Sequence, residues 1–379
     1  MLRAAKTGDL STLRTAIADH EKAGNLANDD AADLAKATLV HEIASTPKPA
    51  DAADRVRDAR ACAYEIDSAL RDRMKTHDEA GAEAALARLE AGQLDEDDAR
   101  NYAEDADAHW RSVGARAMTR EEDEVARERL LQDPSPLVRR QAVRAAMHAR
   151  DAGDLLKLAD IARLDPDDMI RSEAVRALAT QPARPGQDAG DVADRLRDLW
   201  PTADDALRED IAMAWASKDV FANGGRDALL MMIAGSKDSP GVMEAAAAVE
   251  MTWAASDPAL GRAASAQILR AIGEGSVEER LHAIAIARFE QDKGMLDAIN
   301  AASTDSDAAV RVAALSRLLN RGASRADAVR ALEVLAGQDH GAEDAPTRKL
   351  GSRALFALAA AGDVNVQKWL EDGIGAKET

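Results

Sequence analysis

Asp133-Pro134-Ser135-Pro136-Leu137-Val138-Arg139-Arg140-Gln141-Ala142-Val143-Arg144-Ala145-Ala146 returns 32 residues later as Asp165-Pro166-Asp167-Asp168-Met169-Ile170-Arg171-Ser172-Glu173-Ala174-Val175-Arg176-Ala177-Leu178. A self-similar unit of that length is one helix pair, which cannot bury its apolar face without neighbours stacked against it. Aligned on Arg139 and Arg171, the phrase continues at Arg208, Met243, Arg280 and Arg311, with spacings of 32, 37, 35, 37 and 31 residues. Three residues past these positions stand Ala142, Ala174, Ile211, Ala246, Ala283 and Ala314. Small side chains there mark a seam where packed helices approach closely. Six residues before the same positions come Asp133, Asp165, Glu274 and Asp305, while the units with Thr202 and Lys237 there keep Asp204 and Asp238 nearby. A seventh unit is expected within residues 344–358.

The turn chemistry accounts for the phrase. Proline disfavours the α conformation in the residue before it, so Asp-Pro ends one helix and leaves the acid to cap the next. The arginine in the first turn of the second helix is then placed to bond that aspartate and the loop carbonyls of its own or the adjoining unit. Asp133, Arg139, Asp165, Arg171, Asp305 and Arg311 are accordingly read as a structural ladder rather than as ligand groups.

These residues resemble HEAT repeats, in particular the short bacterial variety with Asp-Pro-x-x-x-Val-Arg-x-x-Ala-x-x-Ala-Leu. The match is close in residues 133–146, 165–178 and 305–318, looser in 200–215, 237–250 and 275–288, and covers about residues 121–379. The resemblance implies an all-α fold, an α-solenoid of stacked antiparallel helix pairs, with about six to seven repeats in residues 120–379. It also implies an interaction scaffold with a curved, extended surface, although some similar proteins attach chromophores or remove alkylated bases from DNA. Fold analogy alone does not separate these roles.

Composition agrees with helices throughout. The chain of 379 residues is 46% hydrophobic but only 3% aromatic, and 31% of its residues are charged. Apolar residues at spacings of three and four place first helices of successive pairs at 154–164, 188–199, 227–234, 259–272 and 326–335. No stretch alternates like a strand. Residues 1–119 lack the phrase and are read as divergent helical hairpins forming a cap or lobe. Their helices are expected at 10–22, 31–43, 52–74, 80–90 and 97–117, and the array opens with a helix at 120–131.

With 68 acidic against 49 basic residues the formal net charge is −19, which argues against a nucleic-acid partner. Seven acids crowd residues 95–107 with only Arg100 among them, the pattern of a solvated face. One stripe departs from the acidity. Residues one, five and nine positions after the ladder arginine share a face of the second helix: Arg140, Arg144 and His148, beside Ser172, Arg176 and Thr180. Arg140, Arg144, His148 and Arg176 are therefore the candidate binding residues for an acidic peptide, phosphate or other anion, unless acids such as Glu173 and Asp167 pair with them. Trp215 and Trp253, near Met231, Met232 and Met251, mark a candidate apolar pocket or else fill gaps between irregular repeats. Trp110, Trp200 and Trp369 are read as core or helix-end packing.

The residues of catalysis are scarce. Cys62, the one cysteine, excludes an internal disulfide and is read as a buried thiol within a helix. No two of the seven histidines stand at metal-ligand spacing, and no calcium loop, phosphate loop or nucleophile motif has its context, so no metal, no cofactor and no catalytic residue is expected. No run is long and apolar enough to span a membrane. These features point to a cytoplasmic protein, with an exported or lipid-anchored protein stripped of its leader as the alternative. The expected role is a non-catalytic scaffold for protein partners; the alternative is an enzyme or small anionic-ligand binder acting in the groove.

Overall fold

The structure, a computed structural model, describes residues 28–64, 66–149, 152–180, 190–235, 241–288, 292–319, 328–332, 353–354 and 357–358. The helix expected at 10–22, the seventh repeat apart from residues 353–354 and 357–358, both ends of the helix expected at 326–335, and Trp369 lie outside them. Among the described residues every regular element is helical.

The chain forms two compact units, Met1–Leu199 and Trp200–Thr379. The first contains α1 (Asn28–Ser45), α2 (Pro49–Asp58), α3 (Asp67–Met74), α4 (Glu79–Glu90), α5 (Glu96–Arg100), α6 (Ala108–Ala117), α7 (Glu124–Leu131), α8 (Pro136–Ala149), α9 (Ala152–Leu164), α10 (Asp168–Thr180) and α11 (Gly190–Leu199). Within it α4, α6, α8 and α10 pack in that order, each against the next, and α7, α9 and α11 form a second row against them. The second unit contains α12 (Asp205–Trp215), α13 (Arg226–Ile233), α14 (Val242–Thr252), α15 (Pro258–Glu274), α16 (Val277–Ile286), α17 (Lys293–Ala302) and α18 (Ala308–Leu318). Here α12, α14, α16 and α18 make one row and α13, α15 and α17 the other.

The phrase residues act as expected at the seam. Ala142, Ala174, Ile211, Ala246, Ala283 and Ala314 are all fully buried. The aspartates of the phrase do something more local than capping. Asp133, Asp165 and Asp305 accept the N–H two residues on, from Ser135, Asp167 and Asp307. Asp167 and Asp307 then cap α10 and α18 by accepting first-turn N–H groups.

Two expected helices are broken. Residues 52–74 form α2, a 3-10 turn at Arg60–Cys62 and α3. A straight helix there would outrun α4, whose 12 residues span about 18 Å. The break lets Val56, Ala59, Ala63, Ile66 and Leu70 all reach one core with Ala84 and Ala87 of α4. Cys62 sits in that turn and is exposed, not buried within a helix as its alanine neighbours suggested. Residues 97–117 likewise divide into α5, a 3-10 turn at Asn101–Glu104 and α6, because Asp105 accepts the Asp107 N–H and Asp107 caps α6 through the His109 N–H. The boundary expected at 119/120 lies inside the first compact unit.

Candidate functional site

The ladder exists as contacts and starts further upstream than the phrase was read. Arg139 on α8 donates through Nε and Nη2 to Asp165 at 2.8 and 3.0 Å, while its Nη1 donates to the carbonyls of Asp133 and Pro134. Arg111 on α6 repeats this on Asp133 at 3.0 and 3.2 Å, with its Nη1 on the carbonyls of Asp105 and Ala106. In the second unit Arg280 approaches Asp305 at 3.5 Å, and Arg311 donates to the carbonyls of Asp305 and Ser306. Arg171 donates to the Asp165 carbonyl and pairs with Asp168 at 2.8 Å. Arg111, Arg139 and Arg280 thus join a second helix to the loop opening the next one, while the Arg171–Asp168 pair stays within α10. Burial works to raise the pKa of Asp133, but the Arg111 hydrogen bond, the Ser135 N–H and the Arg111 charge outweigh it and hold the carboxyl below its ordinary value.

The register from Arg111 shows what reading 97–117 as one helix had hidden. Asp105 lies six residues before it and Gly114 three after it, the spacing of the ladder acid and the seam residue. A Cβ on Gly114 would meet the Ala103 backbone at 2.2 Å, so only glycine permits this approach of α6 to the preceding turn. The clue in the sequence was therefore an acid, an arginine and a glycine at those offsets, unmarked by proline.

The same register identifies the stripe. One position after Arg111 and Arg139 come Ser112 and Arg140, and five positions after come Arg116 and Arg144. Ser112, Arg140 and Arg144 line a cleft of about 450 Å³ with Glu83 and Leu86 of α4, His109 of α6, Leu137 and Gln141 of α8, and Arg57 and Arg60 from α2 and the turn after it. Thus Arg140 and Arg144 line a cleft. His148 and Arg176 do not line it: His148 lies 3.2 Å from Arg116, and Arg176 is exposed on α10. Arg57 and Arg60, which share no sequence register with the stripe, are brought to it by packing alone, while Gln141 lies on α8 beside Arg140.

Two glutamates clasp the cleft's arginines in pairs. Glu173 of α10 accepts from Arg140 Nε at 2.7 Å and approaches its Nη2 at 2.6 Å, and it accepts from Arg144 Nε and Nη2 at 3.2 and 3.0 Å. This is the acid pairing weighed for these arginines from the sequence. Burial works to raise the Glu173 pKa, yet hydrogen bonds from Arg140 and Arg144 and the charge of both hold it below the ordinary glutamate value. Glu83 lies 3.3 Å from Arg57 Nε and accepts from Arg60 Nη2 at 2.9 Å, but burial dominates there and raises its pKa against both arginines. Arg57 also lies 3.0 Å from Asp54 and Arg60 3.3 Å from Glu90, and Glu79 lines the cleft, so its four guanidiniums are matched by nearby carboxylates.

The four described tryptophans are packed against other rings. Trp215 is fully buried against Trp200 with ring centroids 4.9 Å apart, and Trp253 stacks on Phe221 at 3.9 Å while its Nε1 donates to the Ala216 carbonyl. Trp110 is 1% exposed, stacked on His77 and tilted against Tyr102. Among the described residues no group of three or more His, Cys, Asp or Glu is arranged to hold a metal ion, and no helix is long and apolar enough to cross a membrane.

No family model matches the chain, and no curated protein does. A crystal structure of an engineered protein is 20% identical, with 89% of this chain and 92% of that chain covered and a TM-score of 0.32.

Proposed function

We propose that the chain is a non-catalytic scaffold for protein partners, built as a HEAT-like α-solenoid. The observation that carries this reading is the ladder. Arg111–Asp133, Arg139–Asp165 and Arg280–Asp305 join successive helix pairs at the same relative positions. Units that bond their neighbours in the same way at these three junctions extend a surface instead of closing around one core, and extended surfaces suit protein recognition. Arg111 carries the array back to at least Asp105. Residues before that remain, in this reading, divergent hairpins that cap it.

Affinity capture with the full chain as bait, followed by hydrogen exchange on any stoichiometric complex, tests the proposal. Protection along the row α4, α6, α8 and α10, or along α12, α14, α16 and α18, is the expected outcome. Failure to recover any saturable partner, together with turnover of a small substrate, would overturn it. The cleft at Arg140 and Arg144 favours one refinement, a ligand of defined chemistry.

A further inference from the structure

Two residues that line the cleft of the first unit each carry a buried polar atom without a partner among the described residues. Gln141 is 8% exposed, its Oε1 is buried, and its side chain makes no hydrogen bond among the described residues. Arg60 Nε is also buried and without a hydrogen-bond partner. A buried group left so costs about 1–3 kcal/mol, so each calls for a partner that the chain does not supply. Glu173 engages only Nε and Nη2 of Arg140 and Arg144, which leaves the Nη1 group of each with its donors. Leu137, 46% exposed on the first turn of α8, provides an apolar wall beside them with Leu86 and Ala82.

We propose that this cleft receives an acidic peptide segment of a partner protein. A Glu or Asp carboxylate sits against Arg140 and Arg144, a peptide amide meets Gln141 and Arg60, and a neighbouring apolar side chain lies on Leu137. The inference rests on the scaffold reading and gives its partner a chemistry. Three observations select a peptide over a bare anion. The Nη1 groups of Arg140 and Arg144 suffice for one carboxylate, whereas a phosphate dianion would be opposed by Glu79 and Glu83, which also line the cleft. Sulfate or chloride offers only acceptors and hydrogenphosphate a single O–H, while a peptide amide offers both an N–H for Gln141 and a carbonyl for Arg60 Nε. The volume of about 450 Å³ exceeds the needs of one carboxylate and falls in the range of ligand sites.

The probe is a displayed library of random peptides selected on the full chain, with the selected peptides then measured by calorimetry. Enrichment of Glu or Asp next to Leu, Ile, Met or Phe is expected. Replacing the selected acid by its amide should weaken binding about tenfold or more. R140Q and L137A should each weaken binding several-fold, L137A with melting unchanged and R140Q with the modest loss of stability expected from its pairing with Glu173. Q141L should weaken it while leaving stability equal or higher, since it removes a buried polar group that the fold does not satisfy; a purely structural glutamine would show the reverse. Selection without acidic residues, or selected peptides indifferent to R140Q and Q141L, would overturn the site. Free glutarate binding as tightly as the selected peptide would overturn the peptide assignment in favour of a small anion. Affinity capture separates this failure from that of the scaffold: identical partners on wild type and R140Q would sink the cleft alone, and no partner on wild type would sink the scaffold.

Discussion

At the scale of residues, the firmest anchor is a buried pair outside the repeated phrase. Arg127 on α7 is fully buried and Asp154 on α9 is 2% exposed. Arg127 Nε lies 2.9 and 3.1 Å from the two carboxylate oxygens, and its Nη1 donates to the carbonyls of Met118 and Arg120. Removing one member strands the other in a dry interior, so Arg127→Met should cost about 3–5 kcal/mol by urea unfolding. A loss below about 1 kcal/mol would show that water reaches the pair. Asp133 gives a pH signature. Its folded-state pKa is held down, so its contribution is complete above the ordinary aspartate value of about 4 and is lost as pH falls through the folded-state value. The urea midpoint of the wild type should therefore drop more steeply on acidification than that of Asp133→Asn; parallel curves would remove the assigned role. Cys62, exposed in its 3-10 turn, should react stoichiometrically with a maleimide without denaturant.

At the scale of elements, close approach is decided by single small residues. Gly114 places α6 on the Tyr102–Ala103 backbone, with no flexible side chain there to yield. Gly114→Ala should thus destabilise by about 1–3 kcal/mol, although alanine is the better helix former. A rise in melting temperature instead would mean that propensity outweighs contact. This is also where the sequence was read too smoothly. Apolar spacing in 52–74 and 97–117 is continuous with one helix each, because periodicity records which side of a helix is buried and not how far its partner extends. The limited length of α4 and the Asp105–Asp107 turn imposed the breaks. Helices bounded by Asp-Pro, by Ser-Thr-Pro or by a capping acid were legible because the stop is local chemistry.

At the scale of the whole molecule, each compact unit is held by neighbour-to-neighbour packing, so a missing pair should be felt mainly by the pair beside it. Deleting residues 1–119 removes α6 from α8 and Arg111 from Asp133. Hydrogen exchange should then rise in α8 while α14 to α18 keep their protection; uniform loss would indicate a single cooperative core. By itself the sequence determined the helical class, the pairing of helices, the alanine seam and the ladder arginines. These follow from offsets of three to six residues along one chain, where turn chemistry and helix geometry leave little freedom. Only the tertiary structure decided that Arg111 is a rung, that Glu173 clasps Arg140 and Arg144, and that Arg57 and Arg60 join them at one cleft. Those neighbours lie about 20 to 90 residues apart, and no local period encodes which side chains meet when helix rows pack.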